Sequence, residues 1–463
     1  MLHKKFEWYV CITQKVNDCN LHYSSGLEFT SSKSNGRELF MLGVLYDWEN
    51  TTLNNRQILD KLANEPSFDA VITRLSKYAG QYIIMYKEPD NLFIISDACA
   101  QFEIYYDTSF SCFGSQPKLI AEIIAPEPHI AQDAVDFYAS PNFFSKKYFV
   151  GDTTHFGNIK HLRPNHYIDV KKKAVVRYFP REPVGALSTK EVAKKACRIL
   201  KGYIKSIAAR KKIAIPVTGG YDSRILFLAS LSEDCKYFVS QHKNMNENHY
   251  DIAVPKRLTQ MYGKPFETLS DKDGYEDIAG CIDFPKNIPK AGKYFENHIY
   301  LNGGGGEIAR SYYGSHDNIS SADLAFLTGY GGWNFVEDVY RQWMENAPLF
   351  ANNGYHILDM FYWEERMGIA GGKAKSMSNA FGVEEFSPFC SHELLTLLLS
   401  TPRKDRNKHL SRLYDAMLLE MSPDALKIPI NPCLKLNIIK LMTKLKIYGI
   451  YQSLGLKYRF LKY

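Results

Sequence analysis

The chain has 463 residues, 45% hydrophobic and 23% charged, which is past the size at which one core stops growing and excludes wholesale disorder. Its formal charge of +7 sits at one end: Lys435, Lys440, Lys444, Lys446, Lys457, Arg459 and Lys462 follow Leu434 with no acid among them, leaving 50 basic against 50 acidic residues elsewhere. That distribution argues against a nucleic-acid binder, and nine scattered cysteines without a CxxC pair argue against a disulfide framework or a zinc site.

The opening MLHKKFEWYVCITQ has no apolar signal stretch, and no run approaches the roughly 18 apolar residues of a membrane span, so a reducing, cytoplasmic location is expected. NRQILDKLA (55–63) and DAVITRLSKYA (69–79) carry apolar residues at helical spacing. QYIIMY (81–86), NLFIISD (91–97), EIYYD (103–107) and SFSCFG (109–114) are β-branched and aromatic runs expected as strands, with KEPD turning between the first two. Residues 1–184 therefore read as an α+β unit.

The texture changes near residue 185. Ser188 followed by Glu191 is a capping-box pattern opening a long amphipathic helix. KIAIPV (212–217), KYFVSQH (236–242) and PFETLS (265–270) then alternate with the helical stretches DSRILFLASL and NHYDIAVPKRLTQMYG. Such alternation predicts a doubly wound parallel sheet over 185–433, with ligands gathering at the carboxyl ends of its strands. The remainder, 434–463, is a basic amphipathic segment whose apolar face would pack on the domain or rest on an anionic membrane or a partner.

The stretch IPVTGGYDSRI (215–225) lies at one of those strand ends. Gly219 and Gly220 let an oxygen-rich ligand approach the backbone, and the following helix points its positive end the same way. Thr218 and Ser223 add hydroxyl donors. Asp222 beside a phosphate pocket makes sense as a ligand for a cation. No GK[ST] follows, so this is not a Walker loop.

TGGYDS resembles the SGGxDS pyrophosphate loop of the ATP-pyrophosphatase enzymes, and its surroundings resemble the asparagine synthetase and β-lactam synthetase branch. IYLNGGGGEIARSYYG (299–314) is similar to that family's second strand and loop, LSGxGxDE: Asn302, Gly303 and Gly305 take the S, G and G places, and Glu307 stands for the second metal-binding aspartate. Gly304 sits where the synthetases carry Glu or Tyr. Asp251 with Ala253, and GVEEFSPFCSHELLTLLLSTP (382–402), are softer matches. In the N-terminal half, GVLYDW and the run from Gly80 through Asp97 to the closing tyrosines resemble the family's glutaminase (Ntn-hydrolase) domain, yet residue 2 is Leu where that domain has its nucleophilic Cys; Cys11 and Cys19 fall in the wrong place to substitute.

The resemblance implies ATP and Mg2+, with Thr218, Gly219, Gly220 and Ser223 on pyrophosphate, Asp222 and Glu307 on metal, and Val217, Val239, Gly303 and Gly305 around the nucleotide. It implies an amide-forming ligase without glutaminase activity, acting on a small-molecule, sugar-acid or peptide carboxylate, or else a relative that binds nucleotide and has lost its chemistry. Arg224 and Arg310 are near enough in sequence to reach phosphate. Glu365, or its neighbour Glu364, is the expected base for the incoming amine. The family's second-step lysine is missing: Pro429 and Asn431 stand at its RxK places, leaving Lys427 or Lys435 to compensate.

Overall fold

A computed structural model describes residues 8–12, 19–146, 148–241, 245–270, 275–277, 287–289, 297–314, 316, 318–380, 383–448 and 450–451. Leu2, Cys281 and the basic residues Lys457, Arg459 and Lys462 lie outside them.

The N-terminal half stacks two antiparallel sheets. One runs in the order Cys19–Tyr23, Trp8–Ile12, Cys112–Gly114, Tyr105–Asp107, Ile159–His161; the other in the order Ala174–Arg177, His166–Asp169, Asn91–Ser96, Tyr78–Glu88, Arg37–Asp47, Phe29–Ser34. Successive side chains of a strand face opposite ways, and in the second sheet both faces are apolar. Leu42, Ile83 and Ile94 meet Trp8, Val10 and Phe113 of the first sheet, while Met41, Ile84 and Ile95 meet the helices Asn55–Ala63 and Phe68–Leu75. The second of these helices stops short of its expected end, because Tyr78 pairs with Asp47 and so opens the next strand. Gly80 is required there: a Cβ would sit 2.3 Å from the Val44 carbonyl oxygen. Cys11 and Cys112 face each other across neighbouring strands with their sulfurs 3.3 Å apart.

The C-terminal half is built on a five-stranded parallel sheet in the order Glu267–Ser270, Cys235–Gln241, Lys212–Pro216, His298–Leu301, Glu385–Phe386. The first three run outward in reverse chain order, and the fourth returns to the other side of Lys212–Pro216. Strand order therefore reverses between Lys212–Pro216 and His298–Leu301, which opens a crevice beyond their carboxyl ends. The helix Thr189–Ala208 begins with the expected capping box from Ser188 and Glu191. Tyr250–Met261 is helical through Pro255.

One apolar core crosses the expected boundary at 184, taking in Val44, Tyr46 and Tyr105 together with Val192, Ile215 and Leu301. In the C-terminal helix Leu434–Lys444, Ile439 and Met442 are half-buried while Ile438, Leu441 and Leu445 are 49%, 56% and 59% exposed, and Ile450 and Tyr451 beyond it are exposed too. Among the described residues no helix is long and apolar enough to cross a membrane.

Candidate functional site at the strand-order reversal

The two glycine turns follow the two strands that flank the reversal, so the fold sets them face to face. A Cβ on Gly303 would lie 2.5 Å from Asp222 Cβ, and one on Gly306 would lie 3.1 Å from Asp222 Oδ1. Gly305 holds φ +88°, a conformation glycine adopts without steric penalty. Asn302 shapes the second turn by accepting from the Gly304 N–H at 2.8 Å, and the Ser387 hydroxyl donates to the Gly304 carbonyl.

The first turn is set by its own side chains. Ser223 Oγ accepts from the Thr218 N–H at 3.1 Å, and Asp251 Oδ1 accepts from the Gly219 N–H at 2.9 Å. The helix Tyr221–Ala229 begins at Gly220 without a side-chain cap, so its positive end is left toward the crevice. Val217, just past one strand, and Val239, within the neighbouring strand, are buried, the Val217 N–H donating to the Phe238 carbonyl at 2.8 Å. Asn431 reaches this turn through its backbone, donating to the Gly219 carbonyl at 2.9 Å.

Asp222 and Glu307 come together in the crevice. Asp222 Oδ2 accepts from Arg310 Nη2 at 2.7 Å, and its Oδ1 lies 2.5 Å from the Tyr414 hydroxyl, which also lies 2.5 Å from the Gly306 carbonyl oxygen. Glu307 accepts from the Tyr362 hydroxyl at 2.6 Å. Burial and then the Asp222 carboxylate push Glu307 above the usual carboxylate range, while Tyr362 and Arg310 pull it back. Two carboxylates, one of them reluctant to ionise, beside a helix start without a side-chain cap, would suit a divalent cation. For Asp222 to join such a cation through Oδ2, Arg310 must release it.

The two arginines flagged in the sequence differ. Arg310 belongs to the crevice. Arg224 is fully buried and points away, donating to the carbonyls of Ala425, Ile428 and Pro429 at 2.9, 2.6 and 2.9 Å. Burial holds its guanidinium down to about 10, and its work is to fasten the segment that carries Asn431. Lys427 is exposed and paired with Asp424, and Lys435 is exposed.

Two other lysines lie closer to the crevice elements, one beside Asn431 and one beside the second turn. Lys440 donates to the Ile430 carbonyl at 3.0 Å, one residue from Asn431. Lys408 lies 4.8 Å over the Tyr312 ring, and burial followed by the charge of Arg310 lowers its pKa. Its loop is clamped on the second turn by Arg406, which donates to the Ile308 carbonyl at 3.1 Å and to Asp359 at 2.8 Å, and by Ser411, which donates to the Ala309 carbonyl at 3.1 Å. Nothing in the run PRKDRNKH distinguishes Lys408 from a solvated lysine; only the loop clamp does.

Glu364 and Glu365 lie on a π-helical run, Tyr362–Gly371, and are both buried. They face different ways. Glu364 receives Arg177 at 2.5 and 3.0 Å, Trp343 at 2.8 Å and Asn165 at 3.0 Å. Burial alone would raise its pKa, but Arg177 brings it to about 2, so Glu364 is a structural ion pair between the two halves. Glu365 accepts the Gly151 N–H at 3.1 Å through Oε2, and burial pushes it up to about 7. It borders a tyrosine-walled cavity of about 80 Å³. One of that cavity's walls, Tyr312, packs 5.1 Å from Tyr362, the hydrogen-bond donor to Glu307.

No family model and no curated protein matches the chain. Among solved structures, an NH3-dependent NAD synthetase from Campylobacter jejuni subsp. jejuni NCTC 11168 in complex with the nitrate ion is 13% identical, with 42% of this chain and 96% of that one covered and a TM-score of 0.21. The allosteric regulatory enzyme of purine biosynthesis is 9% identical over 59% of this chain and 70% of that one, TM-score 0.25. The glutamine phosphoribosylpyrophosphate amidotransferase from B. subtilis complexed with ADP and GMP is 10% identical over 61% and 89%, TM-score 0.23. These scores lie below the level at which two chains share an overall fold, so the functional reading rests on the site's own geometry.

Proposed function

We propose that the chain is an ATP-dependent amide-forming ligase of the asparagine synthetase type, working without glutaminase activity. The observation that carries this reading is the contact of the two glycine turns at the strand-order reversal, which converges Asp222 and Glu307. In the reaction, a substrate carboxylate oxygen bonds to the α-phosphorus of ATP and the bond to the β-phosphate oxygen breaks, releasing pyrophosphate. An amine nitrogen then displaces AMP from the acyl carbon and gives up a proton.

In this reading Thr218, Gly219, Gly220 and Ser223 hold the leaving phosphates at the helix start, Val217 and Val239 flank the nucleotide, and Gly303 and Gly305 leave room for it. Asp222 and Glu307 hold Mg2+, which when bound neutralises developing charge on the phosphates. Arg310 and Lys408 add positive charge from the second turn and its clamped loop. Glu365 takes the amine proton, for which a carboxyl near 7 is suited. The exposed Ile438, Leu441 and Leu445 and the lysines of Leu434–Lys444 suit a peripheral contact with an anionic membrane surface.

The test is pyrophosphate–ATP exchange with Mg2+ and a panel of small, sugar and peptide acids. Acid-dependent exchange that Asp222→Ala abolishes supports the reading; exchange indifferent to Asp222→Ala ends it. The Arg310–Asp222 ion pair favours one second reading, a nucleotide-binding relative without turnover, which predicts ATP binding and no AMP with any substrate mixture.

A further inference from the structure

The cavity beside Glu365 is lined by no residue of either glycine turn and has a built interior. Tyr312, Tyr313, Tyr330 and Tyr340 line it together with the buried Glu365 and the exposed Arg366. Glu365 is 4% exposed, and its Oε1 has no hydrogen-bond partner among the described residues. A buried carboxylate oxygen in that condition costs free energy unless a donor arrives.

Arg163 offsets part of the Glu365 charge from a distance, but among the described residues it makes no hydrogen bond to Oε1, and Arg177 is taken by Glu364. Tyrosine faces attract cations, and an ammonium held against them is stabilised further. Arg366 carries the complementary charge: its guanidinium lies 5.9 Å over the Tyr312 ring, and no ion pair to a carboxylate is recorded for it among the described residues.

We propose that this cavity binds a free α-amino acid, its ammonium on Glu365 Oε1 among the tyrosines and its carboxylate on Arg366. If the ligase reading holds, the amino acid is the acceptor amine, since Tyr312 joins the cavity to Tyr362 and Glu307. The binding itself does not need that reading.

Isothermal titration of the full chain without ATP, against L-amino acids, their N-acetyl derivatives and the matching decarboxylated amines, tests it. At least one amino acid should bind, and its N-acetyl derivative should bind at least ~100-fold more weakly, as expected for loss of an ammonium from a desolvated pair. Glu365→Gln should weaken binding by ~10-fold or more. Ala370→Leu, which narrows the cavity without touching Glu365, should do the same, and Arg366→Gln should erase the preference for the amino acid over its amine. No binding of any amino acid at ~10 mM to the wild-type chain overturns the proposal, as does binding that Glu365→Gln and Ala370→Leu leave unchanged. Amino-acid binding without pyrophosphate exchange would retain the site and sink the ligase reading; exchange without such binding would do the reverse.

Discussion

Arg310 Nη2 donates to Asp222 Oδ2 at 2.7 Å, pairing the second glycine turn with the first across the crevice. The same guanidinium also offsets the charge of Glu307. Arg310→Gln should leave two facing carboxylates without their cation and destabilise the fold by about 1–3 kcal/mol. Millimolar MgCl2 should restore part of that loss, more than it stabilises the wild type. Thermal unfolding of both proteins with and without MgCl2 checks this; a variant whose Tm ignores Mg2+ would mean that the pair does not hold a cation.

Asp222→Asn keeps an acceptor for the Tyr414 hydroxyl but removes the charge. It should lower pyrophosphate exchange by about 10²–10³ while leaving the Tm within a few degrees. Tyr414→Phe should have a smaller effect, since Asp222 keeps Arg310. Rates measured at saturating ATP separate the two variants.

Glu365 and its neighbour make opposite contributions as pH changes. Glu365 is raised from 4.5 to about 7 in the fold, so its contribution is fully present below pH 4.5 and is lost as pH rises through about 7, roughly 3 kcal/mol in all. Burial sets this effect first; Arg163 and the Gly151 N–H oppose it, and Glu364 and Asp152 add to it. Glu364, lowered to about 2, contributes above pH 4.5 and loses that contribution as pH falls toward 2. Urea unfolding between pH 5 and 8 should therefore show a stability difference, wild type minus Glu365→Gln, that falls steadily with pH. A flat difference would refute the assignment.

Arg224 is a stability residue. Arg224→Met strands three carbonyl oxygens and should cost about 3–5 kcal/mol in denaturant unfolding. It should also weaken ATP binding, because the loosened 425–431 segment carries the Asn431 N–H that holds Gly219.

The C-terminal helix should bring the chain onto vesicles rich in phosphatidylglycerol and not onto neutral phosphatidylcholine vesicles. Flotation should be reduced by high salt and abolished by Leu441→Glu with Leu445→Glu, without change in the Tm. Flotation that survives the double substitution would place the contact elsewhere.

Local patterns made much of this fold readable in the sequence. The helix Asn55–Ala63 lies where its apolar spacing put it, Ser188 with Glu191 caps as a box, and the strands Tyr78–Glu88 and Asn91–Ser96 match the β-branched runs. The two glycine turns were legible because backbone approach restricts which residues can stand there. The partners that converge from distant segments were not. Tyr362, Lys408 and Tyr414 join the crevice from helices and a clamped loop, and an isolated tyrosine or lysine carries no spacing signal. Arg224 was misleading for the same reason, since its three acceptors lie about 200 residues away. The segment that ends the strand-rich half was read by texture alone, which says nothing of the core shared across it.

The contact between Gly303 and Asp222 makes those two positions a single unit of mutational tolerance. In a saturation library, any side chain at 303 must displace the Asp222 methylene that a Cβ there would meet at 2.5 Å. Only glycine at 222 would remove that methylene, and it deletes the carboxylate as well. A side chain at 303 and the acid at 222 thus compete for one space, so tolerance at either turn is set by the other.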